Sequence, residues 1–152
     1  MSNSEVLVCS KQRKLDGVFM NIAKEVATLS HCQRSKVGAV IELDGNVVSF
    51  GFNGTPKGMQ NCCEDETNTT LPYVIHAESN SIIKAAKTGH STRGGTLYVT
   101  MSPCLDCAKL ILQSEIQRVV YLEEYRDRTG IDFLKNFIKI EQHGLQKSNT
   151  NI

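Results

Sequence analysis

The chain has 152 residues, 40% of them apolar and 22% charged, which suits one folded domain and excludes a disordered or collagen-like polymer. Lys and Arg number 17 against 16 Asp and Glu, a net charge of +1, so the strong basic excess of a nucleic-acid binder is missing. No apolar run approaches the roughly 20 residues of a membrane span, and residues 1–10 hold no basic stretch followed by an apolar one. The expected setting is therefore the cytoplasm (a host's, for a viral chain), with no membrane or nucleic-acid partner.

Residues 1–13 and 150–152 are expected to be flexible ends of a single domain spanning 1–152. Val18, Ile22, Val26 and Leu29 recur at helical spacing, with Phe19, Met20 and Ala23 widening the stripe, and predict a helix over 14–30. Residues 36–43 alternate, Asp44-Gly45-Asn46 is a hairpin turn, and 47–53 is the return strand. Gly51, Gly54, Pro56 and Gly58 then break regular structure, and 55–75 is a long polar loop, functional or mobile. A helix over 76–88, with Ile82, Ile83, Ala85 and Ala86 buried, ends at Gly89. A strand follows at 95–101, then a helix over 104–114 behind Pro103, and a β-branched strand at 118–122. A helix over 130–143 stops at Gly144, and 145–149 is a weak last strand. The order α-β-β-α-β-α-β-α-β, a hairpin followed by alternating elements, predicts an α/β protein with a mixed five-stranded sheet flanked by helices.

The chemistry concentrates in His76-Ala77-Glu78 and Pro103-Cys104-Leu105-Asp106-Cys107. A CxxC alone is a redox pair, a zinc knuckle or chance. Both pieces, however, fall at predicted helix starts, where the helix dipole favours thiolate. Two thiolates and an imidazole are a familiar zinc set, and three ligands leave a position for water, the catalytic form. Glu78, two residues from the histidine, is placed to handle protons without coordinating. In a reducing compartment the six cysteines read as metal ligands, catalytic groups or buried thiols rather than a disulfide framework. His31, Cys32, Cys62 and Cys63 offer four ligands for a second, structural zinc, or else are buried thiols beside a surface histidine.

The H-x-E and P-C-x-x-C pair is the signature of zinc nucleobase deaminases. Residues His76 to Asn80 and Pro103 to Lys109 resemble the two zinc motifs of the deoxycytidylate (dCMP) deaminase family. Val37-Gly38-Ala39-Val40-Ile41 resembles that family's first core strand. Gly51-Phe52-Asn53-Gly54-Thr55-Pro56 resembles its GYNG segment with Phe for Tyr, and Leu71-Pro72-Tyr73-Val74-Ile75 resembles the run before its histidine motif. The match spans about 15–150. It implies a three-layer α/β/α cytidine-deaminase-like fold and hydrolysis of dCMP to dUMP and ammonia, supplying thymidylate synthesis. His76, Cys104 and Cys107 would hold one catalytic Zn²⁺, with Glu78 passing the water proton to N3 and a proton to the departing amine. Asn53 would bind the deoxyribose and the Ala77 backbone the base edge, with Tyr125, past the fourth strand, a candidate to stack on the pyrimidine and Arg34, Lys36, Arg126 and Arg128 candidate cations for the 5′-phosphate. The resemblance further implies a homo-oligomer, a hexamer, activated by dCTP and inhibited by dTTP with Mg²⁺, at an effector segment of Gly51, Phe52, Asn53 and Gly54. Zinc deaminases of cytidine, guanine or tRNA adenine, a non-catalytic zinc-stabilised module and a thiol redox protein are the competing readings.

Overall fold

The structure is a computed structural model that describes residues 3–145. Its first element, α1 (Asn3–Ala27), starts well before the predicted residue 14, so 3–13 are helical rather than a flexible end. Residues 150–152 and most of the predicted strand at 145–149 lie outside the described residues. The buried face of α1 is Phe19, Met20, Ala23, Val26 and Ala27, while Val18 and Leu29 are exposed; the apolar stripe is rotated by one residue from the predicted one.

Strands β1 (Gly38–Leu43) and β2 (Asn46–Phe52) form the predicted hairpin. Asp44 and Gly45 both take positive φ, 52° and 82°, as a two-residue turn matching the strand twist requires. Helix α2 (Ala77–Lys87) leads to β3 (Thr96–Met101), which pairs antiparallel with β1. Helix α3 (Leu105–Gln113) leads to β4 (Arg118–Glu123), parallel to β3. The predicted helix over 130–143 is instead a short helix, α4 (Thr129–Leu134), and a strand, β5 (Lys139–Gln142), parallel to β4. Asn136 Nδ2 caps α4 by donating to the Asp132 and Phe133 carbonyls, which leaves 139–142 free to complete the sheet.

The sheet order is β2-β1-β3-β4-β5, mixed and five-stranded as expected. Alternation along the strands makes two cores. Ala39, Ile41, Leu97, Val99 and Val119 pack under α2, α3 and α4, while Val40, Tyr98 and Val120 meet Phe19, Met20 and Ala23 of α1. These are the three α/β/α layers. On α2 the buried residues are Ala77, Glu78, Ser81 and Ala85; Ile83 and Ala86, expected inside, are exposed. On the α1 side, Arg118 grips Asp16 through both guanidinium nitrogens at 2.8 and 2.7 Å and donates from Nε to Glu141 at 2.8 Å. Tyr98 donates its hydroxyl to Asp16 at 2.7 Å, so one ionic cluster fastens α1, β3, β4 and β5 together.

Candidate metal centre

Both helices that follow a strand or loop on the α2/α3 side begin at the same place. His76 is the N-cap residue of α2, Cys104 the N-cap of α3, and Cys107 stands one turn into α3. His76 Nδ1 lies 3.5 Å from Cys104 Sγ and 3.4 Å from Cys107 Sγ. Zn–N and Zn–S bonds of about 2.0–2.1 and 2.3 Å at a tetrahedral angle separate nitrogen from sulfur by about 3.5 Å. The donor set therefore fits a zinc ion in both identity and spacing, and it is the only such His/Cys/Asp/Glu group among the described residues.

The electrostatics agree. Cys104 is drawn down to about 4 by hydrogen bonding with Cys107 and then with His76, while Cys107 is pushed up because it shares its proton with Cys104 and is buried. The two helix N-termini add their positive ends to the same point. His76 is shifted up, first by its hydrogen bond with Cys104. Glu78, in the first turn of α2 and 4% exposed, is pushed up to about 7 by burial. A dication beside it would pull it down again. A surface cavity of about 460 Å³ lined by Ile82, His90, Arg93 and Glu115 lies at the other end of α2 and α3, away from this cluster.

The GFNG run pairs with the chain just before His76: Gly54 and Ile75 exchange backbone bonds of 3.1 and 2.8 Å. Asn53 is buried next to them. Its Oδ1 accepts the Val37 amide at 2.8 Å and its Nδ2 donates to Ser35 O at 2.8 Å, which leaves one lone pair and one N–H of the amide free. A Cβ at Gly51 would stand 2.6 Å from Ala77 O and 2.5 Å from Ser81 N, so its missing side chain makes room for α2. Phe52 is half-buried and Gly54 has open space around it. The Ala77 side chain is in the core, and Tyr125 is half-buried on the loop after β4 with Arg126 over its ring. Arg34 and Lys36 are exposed beside the loop before β1, and Arg128 is paired with Glu124.

The four residues offered as ligands for a second zinc form no such set among the described residues. Cys32 and Cys63, both buried, form a disulfide across a sequence separation of 31, while Cys62 is exposed and bonded to Glu64 O. A thiol oxidised to disulfide cannot serve as a thiolate ligand. Two of the six cysteines are thus bridged, where metal ligands, catalytic groups or buried thiols were expected. The bridge ties the 55–75 loop to the chain under Asn53, whose carbonyl accepts from Ser30 Oγ at 2.8 Å.

Sequence reasoning missed three supports. Asn80, one helical turn beyond His76, donates to Phe52 O at 2.8 Å; that i+4 spacing was its only signal. Ser79 Oγ lies 3.5 Å from Cys107 Sγ. Ser102, 3% exposed, accepts the Tyr125 amide at 2.7 Å.

Residues 13–123 match the family model described as the cytidine and deoxycytidylate deaminase zinc-binding region. The deoxycytidylate deaminase of Enterobacteria phage T4 is 35% identical, with 87% of this chain and 90% of that protein aligned. The deoxycytidylate deaminase of Mycobacterium phage D29 is 38% identical over 72% of this chain and 94% of its own. The crystal structure of the dCMP deaminase of cyanophage S-TIM5, in complex with dCMP and dUMP, superposes with a TM-score of 0.83 at 40% identity, covering 85% of this chain and 96% of that one.

Proposed function

Because the chain belongs to the cytidine and deoxycytidylate deaminase zinc-binding family, we propose that it hydrolyses the 4-amino group of dCMP to give dUMP and ammonia. The observation that carries this reading is the His76, Cys104 and Cys107 cluster with the buried Glu78 carboxyl two residues from the histidine. When bound, zinc supplies Lewis-acid activation of a water, whose pKa it draws toward about 7. Glu78 would move both protons of the water: one to N3, which makes C4 electrophilic toward the water oxygen, and the other to the amino group, which departs as ammonia.

Asn53 uses its free donor and acceptor on the deoxyribose, the Ala77 backbone addresses the base edge, and Tyr125 stacks on the pyrimidine. A pocket closed around Asn53 gives a 2′-hydroxyl neither room nor partner, so dCMP is preferred over CMP. Arg34, Lys36 and Arg126 are the cations available to the 5′-phosphate. The family resemblance extends the proposal to one catalytic domain over 1–152, assembled as a homo-oligomer, a hexamer, in the cytoplasm of its cell or host. There it supplies dUMP to thymidylate synthesis, with dCTP activating and dTTP inhibiting as Mg²⁺ complexes. What supports the effector site is that Phe52, Asn53 and Gly54 leave β2 where the chain bonds to Ile75, next to His76.

The test is ammonia release from dCMP, CMP, deoxycytidine and cytosine by zinc-loaded protein, with and without dCTP·Mg and dTTP·Mg. The reading expects the highest kcat/KM for dCMP and effector-dependent curves. Equal kcat/KM for deoxycytidine and dCMP would move the chain to another deaminase of the family, and no release from any of the four would reject deamination of cytosine compounds.

A further inference from the structure

The segment after β4 is fastened to the zinc turn at two points that no motif marks. At one end Ser102 holds it: Oγ accepts the Tyr125 amide at 2.7 Å, and the Ser102 amide donates to Glu123 O at 2.8 Å. At the other end the backbone of Gly130, buried in the first turn of α4, lies flat on Pro103–Cys104. A Cβ at 130 would stand 2.1 Å from Pro103 O, 2.7 Å from Cys104 C and 2.8 Å from Cys104 O. All three neighbours are backbone atoms, which cannot swing aside as a side chain would. Cys104 itself has no side-chain capping bond, and its carbonyl starts α3 by accepting the Ala108 amide at 2.9 Å. Whatever presses on that carbonyl therefore sets where the thiolate points.

We propose that Ser102 and Gly130 are positioning residues: they strap residues 125–130 onto the Pro103–Cys104 turn, holding the Cys104 thiolate and the Tyr125 wall of the pocket at one fixed spacing. This rests on the zinc deaminase reading of the site. A side chain at 130 must open the contact by about 1.3 Å to reach ordinary van der Waals distance. A shift of that size remote from the chemistry lowers turnover by about 10²-fold, and loss of a group that orients a metal ligand lowers metal affinity or activity by about 10–100-fold.

The experiment compares Gly130→Ala, Ser102→Ala and a control, Gly38→Ala, whose new Cβ would meet Ala23 O at 2.0 Å on the α1 side of the sheet. Zinc affinity is measured by chelator competition, thiolate geometry by the absorption of Co²⁺-loaded protein, and kcat and KM with dCMP. Gly130→Ala should lower zinc affinity and kcat/KM by about 10–100-fold and shift the cobalt bands. Ser102→Ala, a smaller perturbation that serves if Gly130→Ala does not fold, should shift the bands in the same direction and lower kcat/KM about 10-fold. Gly38→Ala should lower the unfolding temperature while zinc affinity and cobalt bands stay those of the wild type. Wild-type bands and affinity in folded Gly130→Ala or in Ser102→Ala, or the same band shift in Gly38→Ala, would overturn the assignment. If the wild type binds zinc and deaminates dCMP while the variants match it, only the positioning roles fall; a wild type that does neither removes the functional reading as well.

Discussion

Replacing Gly51 by alanine asks whether this glycine serves a helix or a ligand. The added methyl would meet Ser81 N at 2.5 Å, Ala77 O at 2.6 Å and Asn80 C at 2.9 Å, all α2 backbone. Relief to ordinary contact needs about 0.9 Å of separation between β2 and α2. That separation is resisted by two staples across the same junction, Asn80 Nδ2 on Phe52 O at 2.8 Å and Ser49 Oγ on Ser81 O at 2.7 Å. Overpacking of this kind destabilises by about 1–3 kcal/mol. At roughly 2–4 °C per kcal/mol for a chain of this size, the unfolding midpoint should fall by about 2–12 °C. The N-terminal turn of α2 begins at His76 and contains Glu78, so kcat/KM for dCMP should fall by about 10²-fold even without effectors. Circular dichroism melts and ammonia release across a dCTP·Mg titration read both quantities. An unchanged melt and basal rate, with only the effector response lost, would refute the packing argument and return Gly51 to a ligand.

Glu78→Gln should cut turnover by about 10²–10⁴-fold with zinc content and calorimetric dCMP binding intact; turnover close to wild type would remove Glu78 from proton transfer. Cys107→Ala should abolish stoichiometric zinc in metal analysis, since two ligands remain of three; full occupancy would contradict the cluster. Arg118→Met strands Asp16 and Glu141 without their partner and should destabilise by about 3 kcal/mol in urea unfolding; no change in midpoint would mean the cluster is energetically neutral. Burial pushes the Asp16 carboxyl up, but hydrogen bonds from Arg118, Gln12 and Tyr98 outweigh it and hold the group below its ordinary 3.8. A depressed folded value stabilises above the unfolded one and is lost as pH falls through it. The stability gap between wild type and Asp16→Asn should therefore be full above about pH 3.8 and narrow below it; a constant gap down to pH 2 would contradict the shift.

The His76, Cys104 and Cys107 cluster and the neighbouring Glu78 were legible because each lies in a short motif whose helix start is also written locally: His76 before an apolar helix, Pro103 ahead of Cys104. The fold order was legible up to β4 for the same reason. Beyond it, Ile131, Leu134 and Ile138 fit a helical period, and only pairing with β4, a non-local event, makes 139–142 a strand. The start of α1 was missed because 3–13 carry no apolar stripe. The Cys32–Cys63 bridge depends on two loops meeting in space, which residue spacing does not encode. Gly130 acts through backbone contacts with a distant segment and Ser102 through its hydroxyl on one, so nothing at their own positions announces them.

Open sheets end in two rows of unpaired amides and carbonyls, a template for other chains, and the two outer strands here are guarded differently. Among the described residues β5 is an outer strand of only four residues, and its Glu141 turns inward to Arg118, where an added strand would have to bury or displace a charge. The opposite outer strand, β2, pairs with β1 across a register break between Ile41 and Glu42, and just beyond its last residue the chain is claimed by the Gly54–Ile75 bridge. A bulged, interrupted border and a short, charged one are both poor seeds for strand-by-strand growth. This chain should therefore tolerate crowding at high expression without passing into fibrils.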